Sequence, residues 1–495
     1  MSNTEVRNKK KFLVHIAAVG LPAALGALNI AIALKTVGPG FPLDDAWIHQ
    51  TFARNFAETG AWSFQAGSNA GGSTSPLWTL LLAAAYWIKG LQPYIATYIL
   101  GIFFFAAVVW FGKKSIESIE GNSPTSVWLW IFAAATCWQL IWASGSGMET
   151  IFYSALIMVV FFLVIAKPKG WIWLSGLLTG IGVWIRPDAL TLMGPVLMVL
   201  LLEGKISQKI KNIGVYVIAA AIPFAGYLVW NLNVSGEIFP NTFYAKQAEY
   251  ASMLAAPFTA RLINVFTPVF VGVNILLLPG MVYAAWKSVK DRSFVLTAIL
   301  IWCLGYGLIY ALRLPVSYQH GRYMMPVIAP LMLLGTAGTL QLMRLLSDHN
   351  KRVHWITSRV WVLSIALIGT VFLFRGLGQY SQDVKAINLL MVNSAKWIEA
   401  NTEPSDIIAV HDIGAAGYFG QRTILDLAGL VNPEIIPYIR DEGALEKYIT
   451  EKKADYLVVL KEWYPILETT GTEAAEFTYT DGITHEVMLI RKLDR

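Results

Sequence analysis

Charged residues are scarce in this sequence, and that scarcity excludes most classes of soluble protein. Only 14% of the 495 residues are charged, while 56% are hydrophobic. An average soluble domain is about 25% charged, so a chain with this balance needs lipid around it. The net charge of +6 does not indicate nucleic acid as a partner, because no basic run exceeds Lys9-Lys10-Lys11.

Cysteine is also rare, and it carries little information about the redox compartment. Cys137 and Cys303 lie in apolar runs on different predicted helices. They are typical of small buried side chains rather than of a disulfide. No small-residue cleavage site follows the first apolar run, 12–34, which favours an uncleaved first helix over a removed signal.

Long apolar runs are abundant, and they predict a polytopic membrane protein. A spanning helix needs about 20 mostly apolar residues. Runs of roughly this kind cover 12–34, 94–112, 126–143, 149–166, 171–185, 189–202, 213–231, 262–286, 293–312, 323–343 and 360–375. We therefore expect an α-helical protein with about eleven spans in a lipid bilayer.

The loops between these runs predict an orientation. Lys and Arg concentrate in cytoplasmic loops, and with the N-terminus inside, every inner loop is basic. The inner loops are 113–125, 167–170, 203–212, 287–292 and 344–359. The outer segments are 35–93, 144–148, 186–188, 232–261, 313–322 and everything after 376. This pattern predicts a multi-pass protein of the cytoplasmic (inner) membrane, with its N-terminus cytoplasmic and its C-terminal domain extracytoplasmic.

The segment 76–88 is apolar but is predicted not to cross the membrane. Ser75 suits an N-cap, and Pro76 suits the first helical position. Counting this segment as a span would turn every later basic loop outward. We therefore predict a juxtamembrane or re-entrant helix that begins and ends outside.

The end of the chain is more polar and predicts a small α/β domain, 377–495, after a transmembrane catalytic domain, 1–376. The patterns predict a helix over 382–401, strands at 407–410, 423–427 and 456–460, a helix over 443–452 and a hairpin around Thr480-Asp481-Gly482. The stretch 411–418 lacks GxGxxG spacing, so we interpret it as a turn that needs positive φ. His411 and Asp412 either contact an acceptor or close that turn.

Two adjacent carboxylates in the first outer loop carry the catalytic hypothesis. In one interpretation Asp44 is a helix N-cap and Asp45 complements the helix dipole. In the other, one of them is a catalytic carboxylate at the membrane surface. Neighbours on a helix point about 100° apart, so both need not face one site. Arg54 follows near the same face.

The other outer loops contain further ionisable and polar residues that we predict to bind substrate. They are Glu149, Arg186, Asp188, Asn241, Tyr244, Lys246, His320, Arg322 and Tyr323. Each has a structural alternative: a helix cap for Glu149, a mutual ion pair for Arg186 and Asp188, or snorkelling to headgroups for the cations. Ionisable groups at membrane depth are costly and usually functional, and here both signs gather on one side.

A phosphate attached to a lipid fits this mixture of charges. Arg186, Lys246 and Arg322 can hold a phosphate by charge-assisted hydrogen bonds, and a carboxylate can take the proton of an acceptor hydroxyl. If the lipid phosphate carries a sugar, the phosphate leaves as a stable anion when the sugar is transferred, so the second carboxyl that glycosidases use is unnecessary. The cations then stabilise the charge that grows on the departing phosphate.

Several motifs, in this order, resemble a known family. They are DDAWI followed by ARN, then GSTSPLW, GMET, RPDA, FPNTFYAK, GRYMMP and ILDLAGLVNPE. The chain resembles the GT-C glycosyltransferases, and within them the bacterial branch containing the terminal arabinofuranosyltransferases of the actinobacterial cell wall. The resemblance covers most of the chain.

The resemblance implies a GT-C fold, a polyprenyl-phosphate sugar donor and an acidic base just after the first span. It therefore implies Asp44 or Asp45 as the base, with Asp44 preferred. Departures from the family pattern at Trp47 and Gly72-Ser73-Thr74 leave the sugar and the acceptor open. A divalent cation is also left open.

Together these observations predict an inverting glycosyltransferase. It would move a pentose or hexose from a polyprenyl-phosphate donor to a hydroxyl of an envelope glycan, lipid or protein. A transporter or lipid flippase is the alternative, because intramembrane charges and broken helices also mark transport pathways. The sequence has no inverted repeat, and its charges gather on one side, which disfavours transport. A third hypothesis is an envelope-assembly scaffold whose outer domain binds a partner.

Overall fold

The computed structural model of the protein describes residues 3–65, 68–69, 71–121, 123–482 and 484–494. Within them the chain is mainly helical and ends in a small sheet. Only the backbone is described for residues 3–11, so the basic side chains between Arg7 and Lys11 lie outside the described part. Cys137 and Cys303 are both buried and free, as expected.

The helices and the short hairpin that precede the C-terminal sheet occupy most of the chain. They are α1 (Asn3–Thr36), α2 (Asp45–Thr59), β1 (Ser63–Gln65), β2 (Ser68–Asn69), α3 (Pro76–Tyr86), α4 (Pro93–Glu120), α5 (Pro124–Ala135), α6 (Trp138–Gly145), α7 (Thr150–Ala166), α8 (Trp171–Gly182), α9 (Met193–Leu202), α10 (Ile206–Ser235), α11 (Asn241–Glu249), α12 (Phe258–Phe270), α13 (Asn274–Lys290), α14 (Val295–Arg313), α15 (Tyr318–Gly321), α16 (Met325–His349) and α17 (Lys351–Ile387).

Each predicted apolar run coincides with one helix or with two consecutive helices. Among the described residues, 6 helices are long and apolar enough to cross a membrane, or up to 8 if each bent pair is one span. The bent pairs are α5 with α6, at 53°, and α12 with α13, at 105°. The remaining three runs form the shorter apolar helices Thr150–Ala166, Trp171–Gly182 and Pro187–Leu202. The predicted number of about eleven crossings therefore requires that each of these three shorter helices also crosses the membrane.

The predicted non-spanning segment forms α3. This helix has 11 residues, which make it about 16 Å long, and the hydrocarbon core is about 30 Å thick. It is therefore too short to cross alone. Pro76 opens the helix as expected, but the Ser75 side chain makes no capping hydrogen bond.

A continuous helical segment joins the two predicted domains. The expected span 360–375 lies inside α17, which continues through a π-helical stretch, Asn388–Val392, into α18 (Asn393–Asn401). The helix predicted over 382–401 is therefore the end of this longer segment.

The C-terminal part is a five-stranded sheet with helices. Its strands are β3 (Ile407–Val410), β4 (Thr423–Asp426), β5 (Tyr456–Leu460), β6 (Thr472–Thr480) and β7 (His485–Lys492), in the order β4-β3-β5-β7-β6. Strand β3 is parallel to β4 and β5, while β7 is antiparallel to β5 and β6. The helix α20 (Glu442–Glu451) precedes β5. The predicted strands, the second helix and the hairpin all lie close to their expected positions.

The glycine-rich stretch after β3 is a helix, so the predicted turn is wrong. Helix α19 covers Ile413–Phe419, and neither Gly414 nor Gly417 has positive φ. A Cβ atom at Gly414 would lie 2.0 Å from the Asp44 carbonyl oxygen, and one at Gly417 would lie 2.2 Å from the Phe64 ring. These glycines allow close packing against Asp44 and Phe64, which lie on either side of α2.

Candidate active site

A cavity of about 590 Å³ lies where α2, α11 and α14 meet the segments around Glu149, Arg186 and Arg322. Seven of the predicted site residues line it: Asp45, Glu149, Arg186, Asp188, Lys246, Arg322 and Tyr323. These residues come from five segments that are far apart in the chain. The fold therefore brings most of the predicted outward cluster into one place.

Helix α2 presents different residues on two of its faces. Asp45, Ile48 and His49 have the spacing of one helical face, and all three line the cavity. Asp44, Trp47 and Arg54 follow the other face and contact α19. The two neighbouring carboxylates therefore have different surroundings.

Asp45 forms an ion pair with Arg322 on the cavity wall. Its Oδ2 atom lies 2.5 Å from Nη2 of Arg322. Burial raises the pKa of Asp45, but the charges of Arg322 and Lys246 outweigh burial and lower it to about 2. The carboxylate is thus ionised at neutral pH and can accept a proton.

Arg322 has an N–H donor without a hydrogen-bond partner among the described residues. Its guanidinium is buried, its Nη2 atom also contacts the Tyr323 hydroxyl at 3.3 Å, and its Nη1 atom has no hydrogen-bond partner. A buried, unpaired N–H of a cation is costly. Lys246 stands nearby, with its Nζ atom 3.1 Å from Oε2 of Glu249.

A second polar network lines the cavity beside the first, since the guanidinium groups of Arg186 and Arg322 both lie against the Tyr323 ring. Arg186 donates to Glu149, at 3.0 Å, and to Asp188, at 3.2 Å. Asp188 also accepts hydrogen bonds from the hydroxyls of Tyr306 and Tyr310. The predicted pairing of Arg186 with Asp188 therefore exists, but as part of a larger buried network that faces the cavity.

His49 extends this network, and sequence reasoning did not single it out. Its Nε2 atom lies 3.5 Å from Oε2 of Glu149, and its Nδ1 atom lies 2.9 Å from the Thr79 hydroxyl. The signal was present, because His49 follows Asp45 by four residues and so shares its helical face. Tyr310 and Leu430 also line the cavity, and no local pattern indicates them.

Asp44 lies outside the cavity, and this geometry does not support the preference for it as the base. Its two carboxylate oxygens accept hydrogen bonds from the backbone N–H groups of Gly414, at 2.6 Å, and Ala415, at 2.8 Å. Burial, reinforced by the charge of Asp412, raises the pKa of Asp44 to about 7 against those two hydrogen bonds. Nor does its side chain cap α2. It binds the start of α19 instead.

Four other predicted site residues also lie away from the cavity wall. Arg54 donates to the backbone carbonyl groups of Tyr418 and Gly417. Asn241 is buried at the start of α11, and Tyr244 packs its ring against Phe243. His320 binds Asp383, with 2.7 Å between Nε2 and Oδ2, and its ring lies between those of Trp138 and Trp142.

The described residues contain no group of three or more His, Cys, Asp or Glu side chains that could hold a metal ion. The polar groups that line the cavity are carboxylates, cations, hydroxyls and one imidazole. Such a set can bind an anion and accept a proton.

Comparison by sequence gives one partial match. Residues 378–488 match a family described as a domain of unknown function (DUF8728). No curated protein matches the chain in sequence.

Comparison by structure gives matches over nearly the whole chain. ArnT from Cupriavidus metallidurans, bound to undecaprenyl phosphate, is 11% identical, with a TM-score of 0.60 over 95% of this chain and 98% of that one. The oligosaccharyltransferase AglB from Archaeoglobus fulgidus, in complex with an inhibitory peptide and a dolichol-phosphate, is 13% identical, with a TM-score of 0.53 over 94% and 74%.

The arabinofuranosyltransferase AftD from Mycobacteria is 16% identical, with a TM-score of 0.53 over 96% of this chain and 41% of that one. All three proteins are GT-C glycosyltransferases, and AftD agrees with the branch that the motifs resemble. The chain therefore has the fold of the GT-C glycosyltransferases, a polytopic membrane fold followed by a C-terminal sheet.

Proposed function

We propose that this protein transfers a sugar from a polyprenyl-phosphate donor to a hydroxyl of a cell-envelope glycan, lipid or protein, with inversion at the anomeric carbon. The observation that carries the proposal is the cavity itself, in which Asp45 lies beside Arg322 and Lys246. The GT-C fold favours this reaction over a transporter or flippase.

The donor phosphate would bind between Lys246 and Arg322. Both side chains line the cavity, and the unpaired Nη1 atom of Arg322 offers a buried donor. Charge-assisted hydrogen bonds to phosphate are about twice as strong as neutral ones. The same contacts would stabilise the negative charge as the phosphate leaves.

The lipid chain would follow the apolar part of the wall. Phe239, Phe243, Ile309 and Leu314 line the cavity. Phe243 is 41% exposed and Ile309 is 46% exposed, so the apolar wall continues onto the outer surface of the helices. A polyprenyl chain could leave the cavity there without burying its phosphate in hydrocarbon.

Asp45 would act as the general base. The acceptor oxygen forms a bond to the anomeric carbon and gives its proton to the Asp45 carboxylate. The bond between that carbon and the phosphate oxygen breaks, and its electron pair leaves with the phosphate. Attack from the side opposite the leaving group inverts the carbon. The network of Glu149, Arg186 and Asp188 is available to bind sugar hydroxyls.

The proposed orientation follows the basic loops. Residues 1–376 would form the catalytic membrane domain in the cytoplasmic membrane. Residues 377–495 would form the α/β domain on the extracytoplasmic side, where the donor and acceptor meet. The proposed partners are thus a lipid-linked sugar, an envelope acceptor and the bilayer.

The test is transfer by purified protein in lipid nanodiscs. A panel of undecaprenyl- and decaprenyl-phosphate pentoses and hexoses is incubated with envelope glycan fragments, and products are identified by mass spectrometry and the anomeric configuration by NMR. We expect transfer from at least one donor with inversion, abolished in Asp45→Asn and retained in Asp348→Asn, an exposed carboxylate on α16. Transport of intact donor across vesicles without its consumption would contradict the proposal.

A further inference from the structure

We propose that the C-terminal unit, which is the sheet and its helices from Ile407 onward, positions Asp45 in the cavity. Its helix α19 is bound at one end by Asp44, the residue before α2, and at the other end by Arg54 of α2. We call these two contacts the clasp. The inference rests on the proposed function, in which Asp45 is the base. In it the C-terminal unit is an integral part of the active site rather than an accessory domain.

The first half of the clasp is at the start of α19. The first backbone N–H groups of a helix have no partner inside the helix. Those of Gly414 and Ala415 donate to the two oxygens of Asp44, at 2.6 and 2.8 Å. Each carboxylate oxygen binds one N–H, so both the position and the orientation of Asp44 are defined.

The second half is at the end of α19. The last carbonyl groups of a helix are likewise unpaired. Arg54 donates to the carbonyl of Tyr418 at 2.8 Å and to that of Gly417 at 3.4 Å. Its guanidinium also lies 4.6 Å from the centre of the Tyr418 ring. A cation at this end and a carboxyl group at the other match the polarity of the helix dipole.

Between these ends the two helices pack closely. The ring of Trp47 lies 5.0 Å from that of Tyr418 and 4.7 Å from that of Phe419. Gly414 leaves no room for a Cβ atom, which would meet the Asp44 carbonyl oxygen at 2.0 Å. The register between α2 and α19 is therefore fixed along the whole contact.

A second segment of the C-terminal unit reaches the cavity directly. The buried carboxylate of Asp426 accepts hydrogen bonds from the backbone N–H groups of Ala428, Val431 and Asn432. These bonds shape a loop whose Leu430 lines the cavity. Val431 packs against Gly72, where a Cβ atom would meet it at 2.6 Å. The loop therefore abuts the outer segment that follows α2.

The consequence concerns Asp45, the residue next to Asp44. Asp45 must be aimed at the acceptor hydroxyl, whereas Arg322 and Lys246 hold the phosphate from other helices. Loosening α19 should misplace the base without weakening the phosphate site. A displacement of about 1 Å can cost about 100-fold in rate.

The test uses the full-length protein in nanodiscs and two variants that loosen the clasp differently. Asp44→Asn places an amide group against backbone donors, and Gly414→Ala inserts a methyl group into the contact. Gly378→Ala is the matched control, because a Cβ atom there meets nothing within 4 Å. Binding of undecaprenyl phosphate, kcat for transfer and hydrogen exchange of the peptides covering 45–59 and 413–419 are measured.

We expect both clasp variants to lose about 100-fold in kcat, to bind undecaprenyl phosphate at least as tightly as the wild type does, and to exchange faster in both peptides. The control should match the wild type. Wild-type kcat or unchanged exchange in the clasp variants would overturn the proposal, and so would a parallel loss of undecaprenyl phosphate binding. If the wild type transfers no sugar at all, the proposed function fails, while hydrogen exchange still tests the clasp.

Discussion

The carboxylate of Asp45 and the guanidinium of Arg322 form an ion pair 2.5 Å long, although 277 residues separate them in the chain. In the proposed reaction these two groups have different partners, because Asp45 meets the acceptor and Arg322 meets the donor phosphate. A bound phosphate would compete with Asp45 for the guanidinium. Donor binding would thus weaken the ion pair and leave the Asp45 carboxylate free to accept the proton of the acceptor hydroxyl.

The first prediction concerns donor affinity. Arg322→Met should weaken binding of undecaprenyl phosphate about 10- to 100-fold, because a hydrogen bond to a charged group contributes about 1.5–3 kcal/mol. Isothermal titration in nanodiscs measures the effect. Arg359→Met, at an exposed arginine on α17, should bind as the wild type does, and equal affinities for all three proteins would contradict the phosphate site.

The second prediction concerns pH. Arg322 and Lys246 hold the pKa of Asp45 at about 2 in the free protein, and a bound phosphate anion would cancel part of their charge. The pKa of Asp45 should therefore rise in the donor complex. The profile of kcat/KM reports the free enzyme and that of kcat reports the complex. As pH falls, we expect kcat to decline at a higher pH than kcat/KM does. If both decline at the same pH, donor binding does not change the pKa of Asp45.

The third prediction separates packing from binding. His320 lies between two tryptophan rings and binds Asp383 outside the cavity wall. His320→Phe should therefore lower the thermal unfolding temperature and leave undecaprenyl phosphate binding unchanged. Lys246→Met should weaken binding of undecaprenyl phosphate and leave the thermal unfolding temperature unchanged. Thermal unfolding and undecaprenyl phosphate binding are measured for both variants. If His320→Phe loses donor affinity but keeps the wild-type unfolding temperature, His320 belongs to the binding site.

The fourth prediction concerns Leu430, the cavity-lining residue of the C-terminal unit. Leu430→Trp should raise KM for donor or acceptor about tenfold or more, because the larger ring occupies cavity volume. The free energy of unfolding should fall by about 1–3 kcal/mol because of overpacking. Leu363→Trp, on the exposed face of α17, is the matched control. Unchanged KM values in Leu430→Trp would mean that substrate does not approach this wall.

Much of the fold could be predicted because its signals are local. Apolar runs identify the helices, and the strands 407–410 and 456–460 are short apolar segments bounded by turn residues. The bends between α5 and α6 and between α12 and α13 could not be predicted, because the runs continue across them. The glycines of α19 misled the interpretation, since the same residue permits either positive φ or close packing.

The site was harder to predict where the deciding partner is distant in sequence. The pair Asp44-Asp45 could be recognised as candidate chemistry, but not which residue faces the cavity. That choice depends on Gly414, 370 residues away, and on Arg322. His49 could have been predicted from its helical spacing to Asp45. Leu430 could not, because only the tertiary fold brings it to the cavity.

The most direct test of the central claim is single-turnover release of polyprenyl phosphate, with saturating acceptor, by the wild type, Asp45→Asn and Asp44→Asn. Loss of a general base typically costs about 100- to 10,000-fold. We predict that Asp45→Asn binds donor and releases no polyprenyl phosphate above background, while Asp44→Asn retains measurable release. Wild-type release by Asp45→Asn would contradict the account.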